Sequence, residues 1–390
     1  MAPQDAPDLN QDNMLPAKPT RMSDCGDKSG WLPPSDYCPL LLPTVFRHLL
    51  PAVCLLPSVL CLLLAAVFVT IFSSQVLAQD SAWKRQSTGT LAWLHSVFFL
   101  DQNRGWAVGS KGALLATEDG GRSWKAKPRP SEDALRDIYF SDELNGWLVC
   151  ERNVYELKTK EDPRTYLMNT TDGGEHWNRV NIGGADVDAR LIRAVFSPRG
   201  RGWAFGEGGA IFTSHDSGVN WTRLQSPTRH LLLGGTFIDD YRGWLVGAGA
   251  TIMQTSDGGE TWRLSPLPDA RGVRFTATSF VDNRLGWAVG SGGNVYRTIN
   301  GGDTWRAQNS TVSTDLLDVK FLDAVEGWAV GAEGTLIYTR DGGLHWTVET
   351  SGTTHPLERV FFANRTHGWA VGFGGTILAY VRAEAPRLRR

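Results

Sequence analysis

Cysteine is scarce in this chain: five in 390 residues, four of them (Cys25, Cys38, Cys54 and Cys61) within the first 61 positions. Only Cys150 remains downstream. No disulfide framework can hold that part, and no Cys-x-x-Cys pair marks a zinc or redox site. Excess charge is also lacking. The formal net charge is −2, and residues 79–390 hold 35 Lys/Arg against 35 Asp/Glu. That excludes a global basic field for nucleic acid and leaves electrostatic function to a local patch. None of the eight His residues falls in a His-Glu-x-x-His pattern, so a zinc hydrolase is not indicated. The Gly-rich turns, such as "GEGG", lack the Lys of a phosphate loop. Long amphipathic helical stretches are missing too, because Gly interrupts the chain too often.

Glycine (43) and tryptophan (16) are abundant instead. Together with short apolar runs they point to a turn-rich all-β protein. Residues 1–48 are rich in Pro, Asp and Ser and read as a disordered leader. Leu49–Phe72 is an uncharged apolar run long enough to span a bilayer, although Pro51 and Pro57 weaken its first half as a helix. "VLA" at Val76–Ala78 places small residues where a signal peptidase would cut. Cys61 follows "SVL", a poor match to a lipoprotein signal. Two readings of residues 49–78 stand: a long signal peptide cleaved after Ala78, or an uncleaved anchor holding the protein to the membrane through residues 49–72. Both place residues 79–390 on the far side of a membrane, with the basic flank inside.

The downstream part is a repeat. Gly-Trp recurs at Trp106, Trp147, Trp203, Trp244, Trp287, Trp328 and Trp369, spaced by 41, 56, 41, 43, 41 and 41 residues. Each pair follows an apolar run and leads into "AVG" or a variant, then a Gly-rich turn, another short strand and a second turn. Four short strands at a period near 41 residues describe a β-propeller blade, so seven units predict a seven-bladed β-propeller over residues 79–382, followed by a basic tail at 383–390. The ends show how the ring closes. Trp124 precedes Trp147 by 23 residues, and Trp83 precedes Trp106 by the same 23. Trp83 is thus in register with a turn Trp whose turn is missing, while the last repeat stops at Tyr380, where its turn would begin. The N-terminal strand at Trp83–Thr88 is therefore expected to complete the last blade and leave no open sheet edge.

The second turn is written six times: "TEDGGRSW", "TTDGGEHW", "SHDSGVNW", "TSDGGETW", "TINGGDTW" and "TRDGGLHW". This is the Asp box, or BNR repeat. Its Asp can accept hydrogen bonds from its own turn, its Gly permits a conformation other residues resist, and its Trp can bury a large ring. One copy per blade is what a structural staple requires, whereas a catalyst would not be scattered around a ring. The Gly-Trp rings are read as inter-blade core.

With seven "GWAVG"-type segments, the combination "DxxxGWAVGxxGxxxxTxDGGxxW" resembles the photosystem II stability/assembly factor family over about residues 83–380. The resemblance implies a non-enzymatic assembly factor in the thylakoid lumen or periplasm. It also implies that an Arg-rich patch on one face binds a photosystem reaction-centre precursor. No cofactor, metal or nucleic acid is implied.

Aligning the first strands on their last aromatic places Arg193 and Arg359 three residues before it, Arg136 four before and Arg274 six before. These four are expected to cluster where the innermost strands begin, with Phe373 of "GFGG" nearby as a contact or a channel plug. They would hold carboxylates of a protein client, or else pair with Asp137, Asp318 and Glu358 and line a solvated channel. A charged insertion within "ERNVYELKTKEDPRTYLM" is expected to open on the same face. Two rival functions are a cell-envelope interaction scaffold unrelated to photosynthesis and a sialidase-like glycosidase. The second lacks an Arg-Ile-Pro-type segment before the first box and a prominent Tyr–Glu pair.

Overall fold

Alternating apolar runs and Gly-rich turns build seven sheets of four antiparallel strands each. The computed structural model describes residues 82–157, 163–180, 182, 189–267, 270 and 272–381. The leader at 1–48, the apolar segment at 49–78, the tail at 383–390 and the middle of the charged insertion lie outside the described residues. Among those described, no helix is long and apolar enough to cross a membrane.

Six sheets are consecutive meanders, and the seventh is closed by both ends of the domain. Strand Trp83–Arg85 pairs antiparallel with Thr376–Val381, setting Trp83 opposite Tyr380. The expected closure is therefore present, in the expected register. Beyond the strand, Gln86 N–H donates to the Ile377 carbonyl at 2.8 Å, and Thr88 Oγ1 donates to the Gly375 carbonyl at 2.9 Å.

Blades adhere through a repeated group of three rings. At five of the seven junctions the Gly-Trp ring of one blade lies flat on the last Phe of the next blade's inner strand, while Trp147 is tilted by 37° to Phe196 and Trp328 lies 5.9 Å from Phe362. Trp203 on Phe237, Trp287 on Phe321 and Trp369 on Phe99 have centroids 3.6, 3.4 and 3.4 Å apart. The edge of that Phe then meets the Asp-box Trp of its own blade, as Phe237 meets Trp262 and Phe321 meets Trp346. The indole N–H of the Gly-Trp ring also donates across the interface to an Asp-box carbonyl: Trp203 to Gly258 at 2.9 Å, Trp244 to Gly301 at 2.7 Å, and Trp287 to Gly342 at 2.9 Å. The Gly before each Trp is required by this packing. A Cβ on Gly243 would lie 2.2 Å from the Phe237 ring.

The Asp boxes are the staples the sequence predicts. Thr117 Oγ1 donates to Asp119 Oδ1 at 2.9 Å and accepts from Gly121 N–H at 2.8 Å, while Asp119 Oδ1 accepts from Ser123 N–H at 2.9 Å. Bonds from the Ser123 hydroxyl and N–H hold the Asp119 carboxyl down at about 2. In the fifth box, Asn300 Oδ1 accepts from Thr298 Oγ1 and from Thr304 N–H, at 2.9 and 3.0 Å, so the amide keeps the bonds without the charge.

Candidate functional site

The innermost strands converge on the channel, and each carries the same irregularity. In all seven, the register with the second strand shifts by one residue near its start, for example between Leu94 and Ser96. A bulge re-aims a side chain that would otherwise face a neighbouring sheet. The residues so extruded are His95, Arg136, Ile192, Leu233, Thr276, Leu317 and Glu358 in blades 1 to 7. All seven line a single cavity of about 180 Å³ at the channel mouth. Its wall is completed by Arg190, Arg193, Leu231, Arg274 and Arg359.

All four sequence-selected arginines therefore meet, but in different states. Arg359 and Arg193 form the floor. Arg359 Nη2 donates to Asp137 Oδ1 at 3.0 Å, and Arg193 Nη2 lies 3.6 Å from Asp318 Oδ1. The Arg359 and Arg193 side chains are only 11% and 15% exposed. Burial pushes the Asp137 and Asp318 carboxyls up, opposed by the Arg193 charge and by hydrogen bonds such as that from Ser96 Oγ to Asp137 at 2.7 Å. To this extent the alternative reading holds, since the deepest guanidiniums are engaged within the channel. Arg136 is half-buried and bound to Glu151, which also takes Arg190 Nε at 2.5 Å. Arg274 is exposed and forms no ion pair with any described residue.

Counting Glu151 with Asp137, Asp318 and Glu358, four carboxylates face five guanidiniums, which leaves the mouth one positive charge in excess. His95 adds none. Burial chiefly, and then the Arg136 and Arg190 charges, lower its pKa to about 3. Burial pushes the Glu358 carboxyl up, and Trp93 Nε1 donates to its Oε1 at 3.0 Å.

Phe373 is 42% exposed but does not line the cavity, so it is not a channel plug. Its ring stands edge-on to Trp93, 5.4 Å away, and near His355. Trp93 is itself 39% exposed, so the two form an aromatic ledge beside Glu358. The described start of the blade 2 insertion opens on this same face. Arg152, Asn153 and Val154 line a second cavity of about 390 Å³ that shares Arg136 with the first.

Sequence reasoning passed over Arg190, Trp93 and Glu151. For two of them a signal was available. Arg190 stands six residues before Phe196, and Trp93 six before Phe99, the offset that selected Arg274. Extending that offset to every blade finds both.

The profile of the family described as "Photosynthesis system II assembly factor YCF48" matches residues 75–134, 128–235, 224–310 and 307–381. Photosystem II assembly lipoprotein Ycf48 of Synechococcus sp. (strain CC9902) is 28% identical over 151 residues, 37% of this chain and 40% of that protein. Photosystem II stability/assembly factor HCF136, chloroplastic, of Arabidopsis thaliana is 24% identical over 127 residues, 31% of this chain and 28% of that one. The chain thus matches two fifths or less of the length of these curated relatives. A solved structure described as YCF48 bound to D1 peptide superposes with a TM-score of 0.64 at 21% identity, covering 78% of this chain and 96% of that one. At that identity, the likeness establishes the seven-bladed fold.

Proposed function

Since this chain belongs to the photosynthesis system II assembly factor YCF48 family, we propose that it is an exported binding factor that holds a segment of a membrane-protein client, a photosystem II reaction-centre precursor, at its Arg-lined mouth. The observation carrying this reading is the convergence of five guanidiniums on one cavity, one of them unpaired among the described residues. Guanidiniums bind carboxylates in a planar, two-pronged way, so the client segment is acidic. Arg136 and Arg274 make the contact, Arg193 and Arg359 set the field beneath it, and Phe373 with Trp93 offers an apolar ledge. The role is binding rather than catalysis. Glu358, the carboxylate among the described residues that line the cavity itself, is tied to the Trp93 indole, and no described Tyr lines that cavity beside it as a glycosidase of the sialidase type would need. The names of the relatives, a lipoprotein and a chloroplastic factor, support placement in a thylakoid lumen or periplasm. Residues 49–78 direct that export, and residues 49–72 anchor the domain if they are retained.

Affinity capture from solubilised membranes of the source organism tests the reading. The unmodified chain is expected to recover reaction-centre subunits, and the Arg136→Glu/Arg274→Glu variant at least about tenfold less, a buried-contact loss of 1.4 kcal/mol or more. Equal recovery by both would remove the mouth from the interaction. Recovery of envelope proteins alone would favour the scaffold role.

A further inference from the structure

Below the mouth the inner strands continue in layers. The mouth ring, with its apolar arc of Ile192, Leu233, Thr276 and Leu317, is the first. One residue further along their strands, Arg193, Arg359, Asp137 and Asp318 form the second, and their charges cancel. Side chains alternate along a strand, so the residue two further on returns to the channel side, roughly 7 Å deeper. That third position is aromatic in blades 7, 1 and 2, where Phe361, Phe98 and Tyr139 stand in a row with centroids 5.3 and 5.2 Å apart. It is hydroxylic in blades 4 and 5, with Thr236 and Ser279, and Val195 fills it in blade 3. In blade 6 it is Lys320, the one charged residue of the layer.

Lys320 has no ion-pair or hydrogen-bond partner among the described residues. Its side chain is open to water, yet protein surrounds it, and that enclosure lowers its pKa against the pull of Asp318 on its own strand. Asp318 is committed elsewhere. Its Oδ2 accepts from Val360 N–H at 3.0 Å, and its Oδ1 lies 3.6 Å from Arg193 and 4.0 Å from Arg359. Burial pushes the Tyr139 phenol up, so it brings no charge. The second and third layers together therefore set the cations Arg193, Arg359 and Lys320 against the carboxylates Asp137 and Asp318, and the surplus charge sits on the lysine. Beside it, Ser279 Oγ accepts from the N–H of Phe321, the residue after Lys320, at 3.0 Å, and its own proton has no described acceptor. Thr236, by contrast, spends its proton on the Thr278 carbonyl at 2.6 Å.

An enclosed cation without a counter-charge attracts an anion, because leaving it uncompensated in such surroundings is costly. The surplus is a single charge, so a monovalent ion neutralises the channel and a dianion such as sulfate overshoots. An ammonium and a hydroxyl on adjacent strands suit a small ion, and Phe361 and Phe98 bring no negative group to repel it. We propose that the channel below the ion-pair layer binds a small monovalent anion of the halide class, held by Lys320 Nζ and Ser279 Oγ. The site lies apart from the mouth and stands whether or not the client-binding reading does.

The test is the nuclear magnetic resonance linewidth of dissolved chloride, which broadens when the ion exchanges with a protein site. The purified chain is expected to broaden the line, and added bromide to reverse the effect. Lys320→Met keeps the length of the side chain without its charge and should bind chloride about tenfold or more weakly, the loss of one charge-assisted contact. Ser279→Ala should weaken binding less, and Arg274→Ala at the mouth should leave most of it. The pH profile of the unmodified chain separates the two places without any variant. The anion binds the ammonium form, so affinity is full below the folded pKa of Lys320 and is lost as pH rises through it, starting below the ordinary lysine value of 10.5. Guanidiniums keep their charge over that range, so an anion held by the mouth arginines would give a flat profile. Replacing gluconate by chloride at equal ionic strength should also raise the unfolding midpoint of the parent and leave that of Lys320→Met unchanged. A flat pH profile, undiminished broadening by folded Lys320→Met, or no broadening by the parent each overturns the proposal.

Discussion

Trp83→Ala is expected to cost about 3–5 kcal/mol of stability, the range for truncating a buried Trp. It should lower the midpoint of thermal unfolding by on the order of 10 °C. The indole is 4% exposed and takes the place of an Asp-box Trp where no Asp box exists. In the other blades that ring meets the last Phe of its inner strand edge-on. Trp83 meets Phe362 in the same way, with centroids 5.8 Å apart and planes at 88°. It also touches Trp328 of the preceding blade and Tyr380 of its own, each at 5.4 Å. One side chain therefore seals the strand that closes the ring and the interface between the last two blades. The flanking strand binds onward into the first blade, where Gln86 Oε1 accepts from Trp124 Nε1 at 2.9 Å. Deleting residues 82–88 should cost more than the point substitution and expose the edge of Thr376–Val381 to pairing with a second chain. Calorimetry and light scattering of the variants give both readouts. A truncated chain as heat-resistant as the parent would contradict the closure.

Arg359→Ala should be similarly costly, about 3–5 kcal/mol at pH 7, because it leaves the buried Asp137 carboxylate without the guanidinium hydrogen-bonded to it. Arg274→Ala, exposed and unpaired among the described residues, should change stability by no more than about 0.5 kcal/mol. The loss at Arg359 carries a pH signature. Burial already holds the Asp137 carboxyl above its ordinary value, and removing Arg359 raises it further. A carboxyl whose folded pKa exceeds its unfolded value favours the folded state at low pH and loses that advantage as pH rises through the folded value. The deficit of Arg359→Ala relative to the parent should therefore shrink as pH is lowered from 7 toward 5. Denaturant midpoints across that range would show it, and a constant deficit would mean that Asp137 is not the group left unpaired.

That contrast between two arginines marks where the sequence stops being legible. The ring, its seven blades and its closure follow from spacing, because each Gly-Trp and each box Trp must return to the same place in a strand of fixed rise. Trp83 could be assigned on that ground alone. The meeting of Arg136, Arg193, Arg274 and Arg359 was equally accessible, since counting back from the last aromatic sets depth along the channel. Their states were not. Sequence treats Arg359 and Arg274 alike, whereas three residues of strand decide that one lies on Asp137 and the other in solvent. A charge reversal at Arg359 would place a third carboxylate beside Asp137 and Asp318 and unfold the site. The bulge was hidden for a related reason. An alternating pattern predicts that every second residue faces the channel, and only the shifted pairing brings Ile192, Leu233 and Leu317 to the mouth beside their neighbours. Sequence offers Phe373 as a contact or a plug because its Gly-rich loop opens on the right face, and only its place outside the cavity lining removes the plug. Its actual neighbour, Trp93, is distant in sequence.

The claim on which the functional account turns is that the client is held at this mouth and not elsewhere on the ring. A photoreactive residue placed at Leu317, on the apolar arc, and separately at Leu344, 59% exposed in the Asp-box turn at the opposite face, locates the contact in native membranes. The account predicts that illumination joins a reaction-centre subunit to the chain labelled at Leu317 and that the chain labelled at Leu344 stays free. Adducts formed only from Leu344 would contradict it.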